Sequence, residues 1–336
     1  MTSMDSINDT WFDEANGIVA GVVSFVFNAA LIIATSQVKI YSHSVKRMQI
    51  FGCVLRLLFS VSVILSSPTL AYITEAEAVY IVKGGFQLPI HFGEAVLITF
   101  VTFVIFSCMG PPMQFLQVVF ILKKSKRSQK EVVFLTSAAS FVVSFTGTVL
   151  LALGYTPDVS DDKLSTEIVY NLNGKGTTAY LIASLERYDY SLGDWVPDPV
   201  SWACTLYILA VLVISTVISV ICWLIIKRQI QHGAMSANSV KAQQQLNTVL
   251  IVQFTLPFLT IHIPFYVSFL MPLFRVETSH LSIYLPYLFS WCPALGPIVV
   301  LIMVESIREK VFAKKVSGSS RLHSSGNIVI KPKNLG

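Results

Sequence analysis

Residues Leu281–Val304 read LSIYLPYLFSWCPALGPIVVLIMV, a run without one charged side chain. As a helix rising 1.5 Å per residue, it is long enough to cross the roughly 30 Å hydrocarbon core of a bilayer. Pro286, Pro293 and Pro297, with Gly296 between the last two, interrupt it. Proline removes a backbone donor and crowds the preceding turn. In a bundle of spanning helices the freed carbonyls find partners on neighbours, so such a segment bends without being lost. The reading that follows is an integral membrane protein of packed helices.

The rest of the chain fits that reading. Over 336 residues, 54% are hydrophobic and 13% are charged, about half the charge of an ordinary soluble domain. Apolar windows recur at about 18–35, 49–73, 90–122, 132–155, 202–226, 246–274 and 281–304. The expected fold is therefore an all-α, seven-transmembrane helix bundle over residues 18–304. Residues 1–17 precede it and a basic tail, 305–336, follows. Lipid leaves no unpaired backbone, and runs this long and unalternated are helices rather than barrel strands.

Lysine and arginine set the orientation. With the N-terminus outside, the inner segments carry 18 and the outer ones 5, and Arg56 lies within a span. That asymmetry predicts an extracellular N-terminus and a cytoplasmic C-terminus. Asn8-Asp9-Thr10 then offers a glycosylation acceptor at Asn8. The basic inner loops suit contact with membrane lipids, and no nucleic-acid partner is expected. In the tail, Ile307, Val311 and Phe312 fall on one side of a short amphipathic helix. The 156–200 connection is long and acidic, and its stretch 179–185 reads as either a short strand or a helix.

Enzyme chemistry lacks its groups. There is no GxxxxGKS loop, HExxH pair or nucleophile elbow, and no pair of aspartates within the spans. The last span has no lysine for a retinal Schiff base. All five cysteines fall within spans, with no metal-ligand spacing, so no cofactor is expected and the thiols read as small apolar packers.

Polar and aromatic groups in the spans mark the candidate site. His91 and Glu94 share a face at the outer end of the third span. His262 and Tyr266 sit four apart in the sixth. Tyr284, Tyr287 and Trp291 follow helical spacing in the seventh. These faces either converge on an outward-opening pocket or serve as packing and as an interfacial aromatic belt. Arg56 either snorkels to the inner surface, pairs with Gln114 or Gln117, or acts in a switch. Pro257, Pro264, Pro293, Gly296 and Pro297 are candidate hinges, against static kinks as the alternative.

Gln243-Gln244-Gln245-Leu246 followed by Val252-Gln253-Phe254-Thr255-Leu256-Pro257 resembles the entry to the sixth helix of nematode serpentine seven-transmembrane chemoreceptors of the Str type. Cys292-Pro293-Ala294-Leu295-Gly296-Pro297 with Ser306-Ile307-Arg308 resembles their seventh-helix pattern. Trp11, Asn28, Tyr41 to Lys46 and Pro68 also fall where such receptors carry matching residues. The chain departs from the pattern at three places. Gly296 replaces an aspartate, Ile307 replaces an aromatic, and Phe115–Phe120 lacks the arginine that usually ends the third helix. The resemblance implies a G protein-coupled receptor with an odorant-like small-molecule ligand and a heterotrimeric G protein as partners. It also implies the plasma membrane of a sensory neuron, at the cilium. The alternatives are a seven-span channel or transporter subunit, or a receptor-like protein that has lost coupling.

Overall fold

The first helix shows how the bundle is assembled. α1, Thr10–Gln37, buries Gly17, Gly21, Ser24, Asn28, Leu31 and Thr35. Steps of four and three residues place them along one seam. Ile18, Val22, Phe25, Val26 and Ile33 are exposed on the other side, where acyl chains would cover them. Apolar side chains gain little by leaving lipid for one another, so close backbone approach and polar contacts hold such helices together. Gly21 illustrates this, since a Cβ there would run into Ile64 of α2, His43–Ser66.

The computed structural model describes residues 10–37, 43–74, 77–82, 88–122, 129–157, 179–189, 191–232, 237–267, 285–304 and 307–308. α3 is Ile90–Leu122, α4 Gln129–Gly154 and α5 Pro199–His232. α6 runs over Ala237–Pro257, widens into a π-helical turn at Phe258–His262 and continues as helix over 263–267. α7 is Leu285–Met303. Among the described residues six helices are long and apolar enough to cross a membrane, and α7 has a shorter apolar stretch at Tyr287–Met303. The chain is a multi-pass membrane protein by this measure. α4 carries the barest outer face, with Phe134 at 74% and Phe141 at 61% exposure.

One expectation needs correction. The second span does not reach residue 73, because helix ends at Ser66 and strand β1 occupies Pro68–Thr74. Ser67 adopts φ 35°, a left-handed conformation, and Pro68 has no N–H to extend the helix. Hydropathy alone could not see this, since an apolar run serves a strand as well as a helix. The fold is the expected helix bundle, mostly helical, with short strands added at one end. β1, β2 (Glu77–Val82) and β3 (Tyr180–Ser184) form an antiparallel sheet with β2 in the middle. β4 (Glu186–Asp189) and β5 (Asp194–Pro197) form a hairpin turned through Gly193 at φ 68°. Most of the 156–200 connection that the structure describes is thus strand, including 180–184.

That sheet closes one end of the bundle. Leu181 and Ile182 of β3 are buried, and Ile182 N donates to Tyr155 O at 2.8 Å, fastening the strand to the end of α4. At the start of α5, Asp198 caps the helix: Oδ1 accepts from Val200 N at 3.0 Å and Oδ2 from Ser201 Oγ at 2.7 Å. Pro199 occupies the first helical position, where its missing N–H costs nothing. Beneath the sheet lies the main core, where Phe59, Leu97, Phe100, Cys108, Ile261, Phe265, Phe289 and Cys292 pack with Leu181. A second core at the opposite end holds Phe115, Val119, Cys222, Ile226 and Leu250. All five cysteines are buried thiols, none in a disulfide.

Ile307, just past α7, is buried beside Leu31, Cys53 and Leu301, while Arg308 is exposed. The remainder of the expected tail helix, the glycosylation acceptor Asn8 and residues 268–284 lie outside the described residues.

Candidate functional site

The α7 bend is built from its prolines. In a regular helix the N–H of residue 297 would bond the carbonyl of residue 293, but Pro297 has no N–H. Asn28 of α1 supplies the missing donor. Its Nδ2 lies 3.2 Å from Pro293 O, and also 2.9 Å from Ser24 O and 3.1 Å from Ser24 Oγ. Ser60 of α2 joins the group, its hydroxyl 2.6 Å from Ser24 Oγ and 2.9 Å from Arg56 O. Trp291 makes a second fastening nearer the sheet, donating from Nε1 to Asn16 Oδ1 at 3.0 Å. Tyr287, one turn earlier, is half-buried. α7 is thereby tied to α1 at two levels.

Arg56 belongs to this seam. Its guanidinium lies against Gly296, where an added Cβ would stand 3.3 Å from Nε and 3.6 Å from Cζ. It does not reach Gln117, which is turned toward α4 and donates from Nε2 to Thr136 Oγ1 at 2.8 Å.

α6 treats its proline differently. After Pro257 the helix widens, and Ile263 N donates to Phe258 O, five residues back instead of four. The wide turn presents His262 inward, fully buried. His262 Nδ1 lies 3.3 Å from Pro257 O and Nε2 lies 3.1 Å from Ser215 Oγ on α5. A carbonyl only accepts, so Nδ1 carries a proton. The Ser215 hydroxyl, also 3.0 Å from Leu212 O, has one hydrogen to divide between that carbonyl and Nε2. Three aromatic rings surround the imidazole: Phe254 at 6.3 Å, Phe258 at 5.6 Å and Tyr266 at 6.5 Å between centroids. The arrangement buries one imidazole, hydrogen-bonded at both nitrogens, among aromatic rings, and release of the Ser215 contact would free one hydrogen-bonding position for a small molecule.

The six candidate ligand residues divide into groups. His262 and Tyr266 face α5, whereas Trp291 turns to α1. Between them the rings of Phe265, Phe289, Phe100 and Phe59 touch in succession from α6 through α7 and α3 to α2. His91 and Glu94 sit at the sheet end, with the His91 side chain 98% exposed and its Nδ1 3.4 Å from Glu94 Oε2. They belong to the rim rather than the interior. Pro264 follows the π turn, and Pro257 precedes it. Ser215, Phe254, Phe258 and Asn16 were not singled out from sequence. A serine or a phenylalanine in an apolar span carries no mark of its own until a partner helix is known. Asn28 did carry one, as the lone amide in its apolar window, with a proline pair spaced by four on another helix.

A bundle of this form is the fold of the seven-helix receptors. The crystal structure of squid rhodopsin superposes with a TM-score of 0.63 over 90% of this chain and 80% of that one, at 13% sequence identity. At that identity the likeness is one of fold. Residues 15–312 match the family model for the serpentine type 7TM GPCR chemoreceptor Str, and the chain belongs to that family. No curated protein sequence matches it. It is a serpentine receptor by family and fold, a receptor class and not an enzymatic one.

Proposed function

We propose that this receptor is chemosensory and G protein-coupled, and that it binds a small, sparsely polar molecule entering from the sheet-bearing, extracellular end. His262 offers the hydrogen bond, with Tyr266, Phe254 and Phe258 as its walls. Tyr287 and Trp291 line the α1 side, and His91 and Glu94 stand at the mouth. The observation that carries the reading is a buried histidine, set inward by a π turn, in a chain whose family is chemosensory. A ligand preferring one arrangement of the bends at Pro257, Pro264, Pro293 and Pro297 would shift the population toward it, and the inner ends would pass that to a heterotrimeric G protein. The 18-to-5 distribution of basic residues supports an outside N-terminus, with Asn8 available for glycosylation. The plasma membrane of a sensory cell, at its cilium, is the expected location.

The test is a ligand panel with a second-messenger readout in cells expressing the chain. For any agonist found, His262→Ala should raise the half-maximal concentration about tenfold or more, the equivalent of one lost hydrogen bond of about 1.4 kcal/mol, with surface expression near normal. A collapse of expression instead would make His262 a packing residue. A tag at the N-terminus that is reachable only after permeabilisation would sink the receptor orientation and favour a channel-type protein.

A second reading, a receptor-like protein without coupling, draws support from Gln117. It stands in the stretch where such receptors carry an arginine, and its amide is spent on Thr136. Gln117→Arg should raise G-protein activation if the substitution is the cause of weak coupling. Unchanged signalling would show that another group does that work.

A further inference from the structure

Among the described residues Arg56 is the cation placed deep within a spanning helix, away from its ends. Arg56 is half-buried. A guanidinium cannot escape the cost of that depth by giving up its proton, so even partial burial there calls for a counter-charge or a full set of acceptors. The described surroundings offer neither. Its hydrogen-bond partner there is the Cys53 thiol, with Nη1 3.9 Å from Sγ, and sulfur is a weak acceptor. The Cys292 thiol stands within electrostatic range. Glu94, the acid of α3, lies at the sheet end beside His91. Nor has the side chain snorkelled free. Gly296, against which it lies, is seven residues short of Met303, about 10 Å inside the end of α7. The absence of a side chain at 296 is what leaves the face of α7 open to the guanidinium.

We propose that Arg56 binds a compact monovalent anion in the seam between α2 and α7, bounded by Cys53, Cys292 and the backbone at Gly296. The chemistry is that of chloride or of a small carboxylate. Occupancy neutralises the guanidinium and holds α2 against the bent part of α7. The site is separate from the His262 turn and stands or falls independently of the ligand reading.

The test uses the full chain purified in lipid nanodiscs, with thermal unfolding followed in sodium chloride, sodium acetate and sodium gluconate at equal ionic strength. Tm should be several degrees higher in chloride, acetate or both than in gluconate, because an anion that binds the native state raises its apparent stability. A response to chloride alone identifies an inorganic ion as the occupant, and a response to acetate alone identifies a carboxylate. Arg56→Gln should abolish the difference. Gly296→Asp supplies a carboxylate from α7 itself, so it should abolish the difference and raise Tm in gluconate. If Arg56→Gln yields no folded protein, Gly296→Asp decides. Equal Tm in all three salts, or a salt difference that survives the substitutions, would overturn the proposal.

Discussion

α6 and α7 meet the same difficulty, a proline within an apolar span, and resolve it by different means. In α7 the carbonyl freed by Pro297 is taken up by Asn28, a residue of another helix. In α6 the adjustment stays within the helix, which gains a wider turn after Pro257, and the outside contact is made by the side chain that turn presents, His262 to Ser215. The first solution locks two helices together through the backbone. The second moves a side chain around its own axis and reaches the neighbouring helix at that turn through a hydroxyl. A bend held by a backbone bond is suited to carrying load, and one held by an imidazole near aromatic walls is suited to being displaced by a ligand.

The largest expected effect is on the locked bend. Asn28→Ala leaves the Pro293 carbonyl buried without its donor, which should cost about 2 kcal/mol of stability. It would be read as a lowered Tm in detergent or nanodisc and as reduced surface expression. An Asn28→Ala receptor of wild-type stability would show that α7 is held by packing alone. Next in size is Pro257→Ala. With a donor restored, the turn can close to α-helical, which rotates the following residues by about 100° and takes His262 away from Ser215. Agonist potency should fall about tenfold while Tm holds or rises. Potency unchanged by that substitution would mean that the π turn does not depend on the proline. The smallest effect belongs to Ser215→Ala, which removes one neutral hydrogen bond worth about 1 kcal/mol. In combination with Pro257→Ala it should add nothing further, because the bond is already broken, and a double-mutant cycle measures that directly.

Both bends were visible in the sequence as prolines, but their different resolutions were not. A proline announces a missing donor, and it does not say which atom will replace it. Asn28 is the lone amide of its apolar window, but only the packed bundle brings it to residue 293, 265 residues away in sequence. His262 and Tyr266, paired by helical spacing, have ring centroids 6.5 Å apart, and the wide turn that follows Pro257 left no mark on that spacing. The grouping of His262 with Trp291 in one wall was legible only as a possibility of rotation about two helix axes. The structure points one toward α5 and the other toward α1.

The sequence by itself determined the solvent. Long uncharged runs, scarce charge and basic residues gathered in alternate loops require a helical membrane protein, because each is a transfer free energy summed over many residues and needs no knowledge of contacts. It also carried the motifs that place the chain among the Str receptors. What only the tertiary structure decided is local and pairwise. The second helix stops at Ser66 and becomes strand because β2 is there to pair with it. Arg56 settles on Gly296 rather than Gln117 because that is where α7 leaves its backbone bare. Hydropathy averages over a window, whereas a hydrogen bond or a close approach depends on two particular atoms, and those are fixed only when the helices have packed.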